Sequence, residues 1–367
     1  MLYALLYGLR SKFILFNLLK YISFRSLAAF FTAFLIGVVL APYIIKKFKT
    51  TGIKQSIRID GPENHHIKAG TPTMGGVFII IASLSSILLW TIYNYYVFTI
   101  SLSILLFGAI GFIDDYLKIK FSNSKGISEN LKLFLQAVAS LLLIFLLSIN
   151  PGKPDVFWNF YLPFINKPIF VWPPALAYLF YVFTIVAFSN ATNLSDGLDG
   201  LASGMGIIMY LPFGIIAYVM GHIDVAKYLL FPFINGSGEI AVIITAMIGG
   251  FTAFLWYNIH PAEVFMGDTG SLSMGGTIAF ISIIIKSEML LLIAGGMFVI
   301  ETLSVVLQRG YFKYTKKRYG EGRRIFLMSP IHHHFEKKGW KETQVVIRFW
   351  ILSALFAVIA LSTLKVR

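Results

Sequence analysis

Residues 97–118 read VFTISLSILLFGAIGFIDDYLK, a run without charge that ends abruptly in two adjacent aspartates. The run approaches the roughly 20 apolar residues that cross a bilayer. It is too long and too evenly apolar for a barrel strand, and backbone groups in lipid must satisfy one another within the segment, so a helix is expected. The anomaly is the pair Asp114–Asp115. An ionised carboxylate beside hydrocarbon is costly, and it is kept there where a cation, a partner or a reaction uses it.

The pattern recurs on either side. Apolar runs lie at about 26–45, 75–95, 97–114, 131–149, 172–189, 200–219, 239–257, 271–286, 288–308 and 344–363. With 57% hydrophobic and 13% charged residues, the composition sits far from the roughly 25% charged of a soluble domain. An all-α integral membrane protein of about ten transmembrane helices is expected. Residues 1–25 carry Arg10, Lys12, Lys20 and Arg25 among aromatics and leucines without a cleavage pattern, which predicts an interfacial amphipathic segment. Residues 26–367 then form a single polytopic catalytic domain. The chain lacks cysteine, which excludes thiolate metal sites and cysteine catalysis.

Lys and Arg orient the threading. With the N-terminus outside, basic residues near the inner loops outnumber those outside by about two to one, as the positive-inside rule requires. The net charge of +14 is divided among short loops with no reading motif, so nucleic acid is not an expected partner. This threading places five of the eight aspartates, Asp114, Asp115, Asp196, Asp199 and Asp268, in cytoplasmic loops.

Each loop carries a distinct chemistry. RIDGPENHHIKAGTPTMGG (58–76) offers Arg58, His65, His66 and Lys68 as anion contacts, or serves as a basic tether capping a helix. Asp114 and Asp115 stand at a helix C-terminus, which disfavours acids, so a divalent cation or a reaction explains them better than helix capping. In NLSDGLDGLASG (193–204), helix packing accounts for the glycines but poorly for Asp196 and Asp199. Asp268 in NIHPAEVFMGDTGSLSMGG (258–276) suits an oxygen-ligated ion, and Mg²⁺ prefers one or two carboxylates with substrate phosphates. Phe265 reads as membrane packing or as a shelf for a flat ring. His332, His333 and His334 in RRIFLMSPIHHHFEKKGW (323–340) are adjacent, so they do not converge on one ion unless the backbone folds around it. Donation to phosphate, beside Arg323 and Arg324, is more economical. Glu301, inside the ninth run, reads as the mark of a helix break or as a polar groove wall, and its role is left unassigned. Such loops at one membrane face suit a phosphoanhydride substrate and a lipid phosphate.

The motifs DGPENHHIKAGTPTMGG, GFIDDYLK, NLSDGLDGLASG, PAEVFMGDTGSL and SPIHHHFE, in this order, resemble the phospho-N-acetylmuramoyl-pentapeptide-transferase family (lipid I synthase) of the polyprenyl-phosphate hexosamine-1-phosphate transferases. Ser195 stands where Thr is common, and Ser329 and Ile331 where Ala and Leu are common. The resemblance implies transfer of phospho-MurNAc-pentapeptide from its UDP carrier to undecaprenyl phosphate, at the inner face of a bacterial cytoplasmic membrane, yielding lipid I and UMP. It implies Mg²⁺ on Asp268, Asp114 as base for the lipid phosphate or as nucleophile, and Asp115 beside it. It also implies a nucleoside-side pocket from Asn193, Asp196, Gly197, Leu198, Asp199, Asn258 and Phe265, with Asn190 among the substrate contacts. Lys68, Thr73 and His332 to His334 resemble substrate or pyrophosphate contacts, and Lys132 and Gln136 face the lipid phosphate. A homodimer is compatible with this reading. The alternatives are a sister transferase moving another hexosamine phosphate, and an ion-coupled transporter, whose sites lie nearer the bilayer midplane between repeats.

Overall fold

The apolar runs fold as helices in the computed structural model, which describes residues 1–50, 70–121, 126–150, 152–165 and 167–364. In chain order these are α1 (Leu2–Leu6), α2 (Ile22–Thr50), α3 (Gly76–Trp90), α4 (Tyr95–Lys120), α5 (Glu129–Ile149), α6 (Pro174–Leu194) and α7 (Leu201–Met220). They continue as α8 (Ile223–Tyr228), α9 (Gly238–Asn258), α10 (Gly267–Ile284), α11 (Glu288–Ala294), α12 (Gly296–Tyr319), α13 (Ile331–Lys337) and α14 (Glu342–Ser362). Among the described residues the strand content is one hairpin, β1 (Asn159–Phe160) paired antiparallel with β2 (Phe170–Val171).

The protein is an all-α membrane protein. Among the described residues seven helices, α2, α4, α5, α6, α7, α9 and α14, are long and apolar enough to cross a bilayer. The ninth apolar run is broken: α11 and α12 meet at 84°, and counting them as one bent span gives eight. The other two runs are helical but different in kind. Helix α3 has only 15 residues, about 22 Å of rise. In α10 every residue from Asp268 to Ile284 is buried. A helix enclosed by protein on all sides needs close neighbours more than lipid-facing bulk, which explains GDTGSLSMGG at its start.

Packing fixes which helix ends meet. Helix α10 lies against α4 and α6, while α9 lies against α2, α3 and α7. Small residues let backbones approach: Gly37 of α2 faces Ala253 of α9, and a side chain at Gly249 would strike the Phe30 carbonyl. The ends of α4, α6 and α9 therefore gather with the starts of α5, α7, α10 and α14.

The opposite end is tied by buried charge. Arg25, at the start of α2, is 1% exposed and makes a bidentate pair with Glu239 at 2.6 Å for each bond. Its guanidinium also donates to the Trp90 carbonyl, and Glu239 accepts the Ile92 N–H. Lys286 and Glu288 form a second buried pair at 2.5 Å, with the ammonium donating to Tyr181 as well. Around residues 1–21 the large apolar side chains of Leu5, Phe13, Ile14 and Leu15 are exposed. Removing one partner of a buried pair leaves a bare charge, at a cost of about 3–5 kcal/mol. Arg25→Met is thus expected to lower Tm in detergent, and Arg25→Met with Glu239→Leu to recover part of the loss. A double variant no more stable than the single one would show that the two residues do not act as a unit.

Candidate active site

Helix α10 has no capping side chain of its own, since Met266 precedes it. Its first N–H groups need acceptors, and Asp115 of α4 supplies them. One carboxylate oxygen accepts the Asp268 N–H at 3.1 Å, and the other accepts the Thr269 N–H at 2.9 Å and its hydroxyl at 2.7 Å. Three glycines make the approach feasible. A Cβ at Gly111 would enter the Asp268 carbonyl, and one at Gly76 would enter the backbone of Gly270. Gly267 has a φ of +72°, and a Cβ there would press on Asp115.

The cap delivers Asp268 to Asp114. Carboxylate oxygens of Asp114, Asp115 and Asp268 lie within 4.8 Å of one another, and all three residues are buried. Asp114 accepts the Ile127 N–H at 2.8 Å through one oxygen. Its other oxygen meets Lys118 at 2.5 Å and Lys132 at 3.4 Å. Asp268 pairs with Lys132 and lies 3.3 Å from Lys118, while its second oxygen accepts from Asn193 at 2.9 Å. Asn193 also donates to Ser271. Two ammonium groups thus offset the repulsion between two carboxylates, and the same oxygen-only donor set suits a hard divalent cation.

A second cluster gathers Asp199, His260 and Glu342. Asp199 accepts from the Ala262 N–H at 3.2 Å and lies 3.0 Å from Nδ1 of His260. Glu342, at the start of α14, accepts the Asp199 N–H at 2.9 Å. Asn258 joins the segments by accepting from Gly200 and donating to the Val264 carbonyl. Asp196 stands between the clusters, half-buried. Burial first, then the charges of Asp268, Asp115 and Asp199, push its carboxyl up to about 8.

Most of the residues expected from the sequence meet here. Thr73 is buried beside Gly267, and its segment is pinned to the 265–266 stretch: Phe265 donates to Pro72, and Gly75 and Gly76 donate to Phe265 and Met266. Phe265 itself is half-buried and Leu198 fully buried. Asn190 donates to Gln136 at 2.6 Å, one turn from Asn193. Gly197 faces the ring of His332. The three histidines do not converge: His332 pairs with Glu301, His333 with Glu336, and His334 accepts the Leu327 N–H. Lys68, Arg58, His65 and His66 lie outside the described residues.

Sequence reading missed Lys118 as a site residue, along with His260 and Glu342. Lys118 was legible as the i+4 neighbour of Asp114 on a helix, and His260 lay within the quoted motif. Glu342 carried no local signal, because only the packing of α14 against α7 brings it in.

A carboxyl that titrates higher in the fold than its ordinary 3.8 stabilises the folded state in acid. That contribution is lost as pH rises through about 8. Without divalent cations, Tm is therefore expected to fall between about pH 5 and about pH 8.5, and Asp196→Asn to flatten the slope. An unchanged slope in the variant would remove Asp196 as its source.

A family model described as glycosyl transferase family 4 matches residues 97–286, just over half of the chain. A phospho-N-acetylmuramoyl-pentapeptide-transferase signature matches residues 68–80, of which Pro72, Gly75 and Gly76 bond the backbone of Phe265 and Met266. Both agree with the resemblance carried by the motifs. The chain belongs to glycosyl transferase family 4, as a multi-pass membrane transferase of the glycosyl-1-phosphate type.

Proposed function

We propose that the protein transfers phospho-MurNAc-pentapeptide from UDP-MurNAc-pentapeptide to undecaprenyl phosphate, forming lipid I and UMP. The family implies a nucleotide-sugar donor and a lipid-phosphate acceptor in a membrane. The observation that carries the finer reading is the meeting of Asp114, Asp268, Lys118 and Lys132 at one end of the bundle, with Thr73 of the matched signature beside Gly267. By the charge bias of its loops, that end faces the cytoplasm of a bacterial inner membrane. About ten spans, with the N-terminus outside, complete the arrangement, residues 1–25 forming the interfacial segment and 26–367 the catalytic domain.

An oxygen of the lipid phosphate attacks the phosphorus that bears the sugar. The bond from that phosphorus to the oxygen bridging to UMP breaks, and UMP leaves as one pyrophosphate replaces another. Lys118 and Lys132 offset the negative charge of the gathered phosphates. Asp268, with Asp114 in reach, would hold Mg²⁺, which supplies charge to the diphosphate when bound. Asp115 is committed to the α10 amides and sets the position of Asp268. Both oxygens of Asp114 are engaged, one by the Ile127 N–H and one by the lysines. That arrangement favours orientation of a lipid phosphate, already largely dianionic, over a covalent role for Asp114. Asp196, Gly197, Leu198, Asp199, Asn258 and Phe265 form the nucleoside side, with Asn190, Asn193, Lys68, Thr73 and His332 to His334 as further contacts.

Purified protein given both substrates is expected to release UMP only with Mg²⁺, and Asp268→Asn to lower the rate on the order of a hundredfold or more. Without the lipid acceptor, no stoichiometric burst of UMP should appear; a burst would establish a covalent intermediate. The signature at 68–80 favours the muramoyl donor over a related N-acetylhexosamine donor. Preferential turnover of UDP-GlcNAc in direct competition would reverse that choice.

A further inference from the structure

Two groups of three metal-ligating side chains come together among the described residues, and they differ in their donor atoms. Asp114, Asp115 and Asp268 offer oxygen alone, whereas Asp199, His260 and Glu342 offer two carboxylates and an imidazole nitrogen. The second group is assembled from three distant segments: the turn after α6, the turn after α9 and the start of α14. Nδ1 of His260 lies 3.0 Å from Oδ2 of Asp199 and 3.7 Å from Oε2 of Glu342. The ligand atoms of all three residues lie within 4.8 Å of one another.

A plain hydrogen bond explains only part of that arrangement. A proton on Nδ1 can be donated to Asp199, but 3.7 Å is too long for a bond to Glu342 as well. Both separations suit the ligands of one ion. In a tetrahedral zinc site, with bonds of about 2.0–2.1 Å, neighbouring ligand atoms stand about 3.3–3.4 Å apart. The two observed values bracket that figure. Backbone bonds also hold the carboxylates in place. Oδ2 of Asp199 accepts the Ala262 N–H at 3.2 Å, and Oε1 of Glu342 accepts the Asp199 N–H at 2.9 Å, so that Oε2 is the oxygen facing the ring. Partners of this kind orient metal ligands. The carboxylate side chains are 2% and 12% exposed and that of His260 is 42% exposed, so an ion reaches the trio from the histidine side.

We propose that Asp199, His260 and Glu342 form a site for a divalent transition-metal ion of the zinc class, separate from the Mg²⁺ proposed at Asp268, and that its occupation opposes nucleotide binding. An imidazole nitrogen favours such ions, whereas Mg²⁺ prefers oxygen and keeps several of its waters. Three protein ligands leave a fourth position for water, as in zinc sites that are open on one side. The link to the nucleotide rests on the functional reading given above, in which Asp199 belongs to the nucleoside side. A carboxylate bound to zinc is withdrawn from that contact.

The test uses the full-length protein in detergent, without a histidine tag and with Mg²⁺ in excess, so that the oxygen-only group is not the one reported. Co²⁺ is the optical stand-in for Zn²⁺, because four-coordinate Co²⁺ absorbs strongly in the visible. One equivalent per chain is expected to give such a spectrum, and one equivalent of Zn²⁺ to bleach it. His260→Gln and Glu342→Gln should each weaken Co²⁺ binding about tenfold or more, while His333→Gln leaves it unchanged. In the second arm, calorimetry follows UMP binding. Zn²⁺ is expected to weaken it about tenfold in the wild type and to have no such effect in His260→Gln. No four-coordinate spectrum in the wild type, or the same Co²⁺ affinity in His260→Gln, would overturn the site. Equal UMP affinity with and without Zn²⁺, or equal weakening in His260→Gln, would overturn its link to the nucleotide. Zinc-free wild-type protein that fails to bind UMP counts against the transferase reading instead, while the spectra still decide the metal site.

Discussion

The site depends on a single hydrogen-bonded joint, in which the Asp115 carboxylate of one helix caps the bare amino end of another. Helix α10 begins inside the protein, where water cannot satisfy its first amides. A carboxylate is the acceptor best matched to that end, because the helix dipole there favours negative charge. Once Asp115 is spent on Asp268 and Thr269, its neighbour Asp114 points elsewhere, toward Lys118, Lys132 and the Ile127 amide. Adjacent residues on a helix diverge by about 100°. The pair thereby divides its labour: one aspartate builds the joint and the other faces the chemistry.

The joint constrains composition far from itself. Asp268 can reach Asp114 only if α10 enters between α3 and α4 without side chains at the crossing, and Gly76, Gly111 and Gly270 meet that need. Burial along the whole of α10 follows, and with it the Ser, Thr and Gly content that lowers its hydropathy below that of the lipid-facing helices. Asp114 lies in a helix that shows lipid a face; Asp268 lies in one that shows it none. That difference separates the two strands of evidence for a membrane enzyme. Lipid-facing helices reveal the membrane, and the enclosed helix reveals the active site.

Much of this was legible in the chain. Long apolar runs ending in Asp114, in Asn190 to Asp199 and before Asp268 announced both helices and a gathered acidic site, because charge beside hydrocarbon has few cheap explanations. A break in the ninth run was suggested by Glu301, but its place was not legible: Ala294-Gly295-Gly296 sits among apolar residues, and the hydropathy that finds a span is blind to its direction. Nor was the separate duty of Asp115, since a capped helix in another part of the sequence leaves no local mark. Arg25, grouped by sequence with the interfacial basic residues, is buried against Glu239, 214 positions away. Tertiary pairing of that kind carries no periodic signal.

The same limit explains why a run of three histidines invites one interpretation and the structure supplies three. Sequence adjacency suggests a shared ligand, but α13 is helical through Ile331–Lys337, so successive rings leave the axis in different directions. His332 turns into the bundle to Glu301, His333 stays on its own helix with Glu336, and His334 turns back to the Leu327 amide. Only the first is carried toward the Asp196–Gly197 turn. What decides this is the polar stripe at residues 301, 308 and 315, a heptad step that keeps one face of α12 toward the segment it holds. Outside its own helix, the stripe binds the backbone of the segment that follows α12 and the imidazole of His332. The membrane helix that bends out of line is thus also the one that secures the histidines at the site.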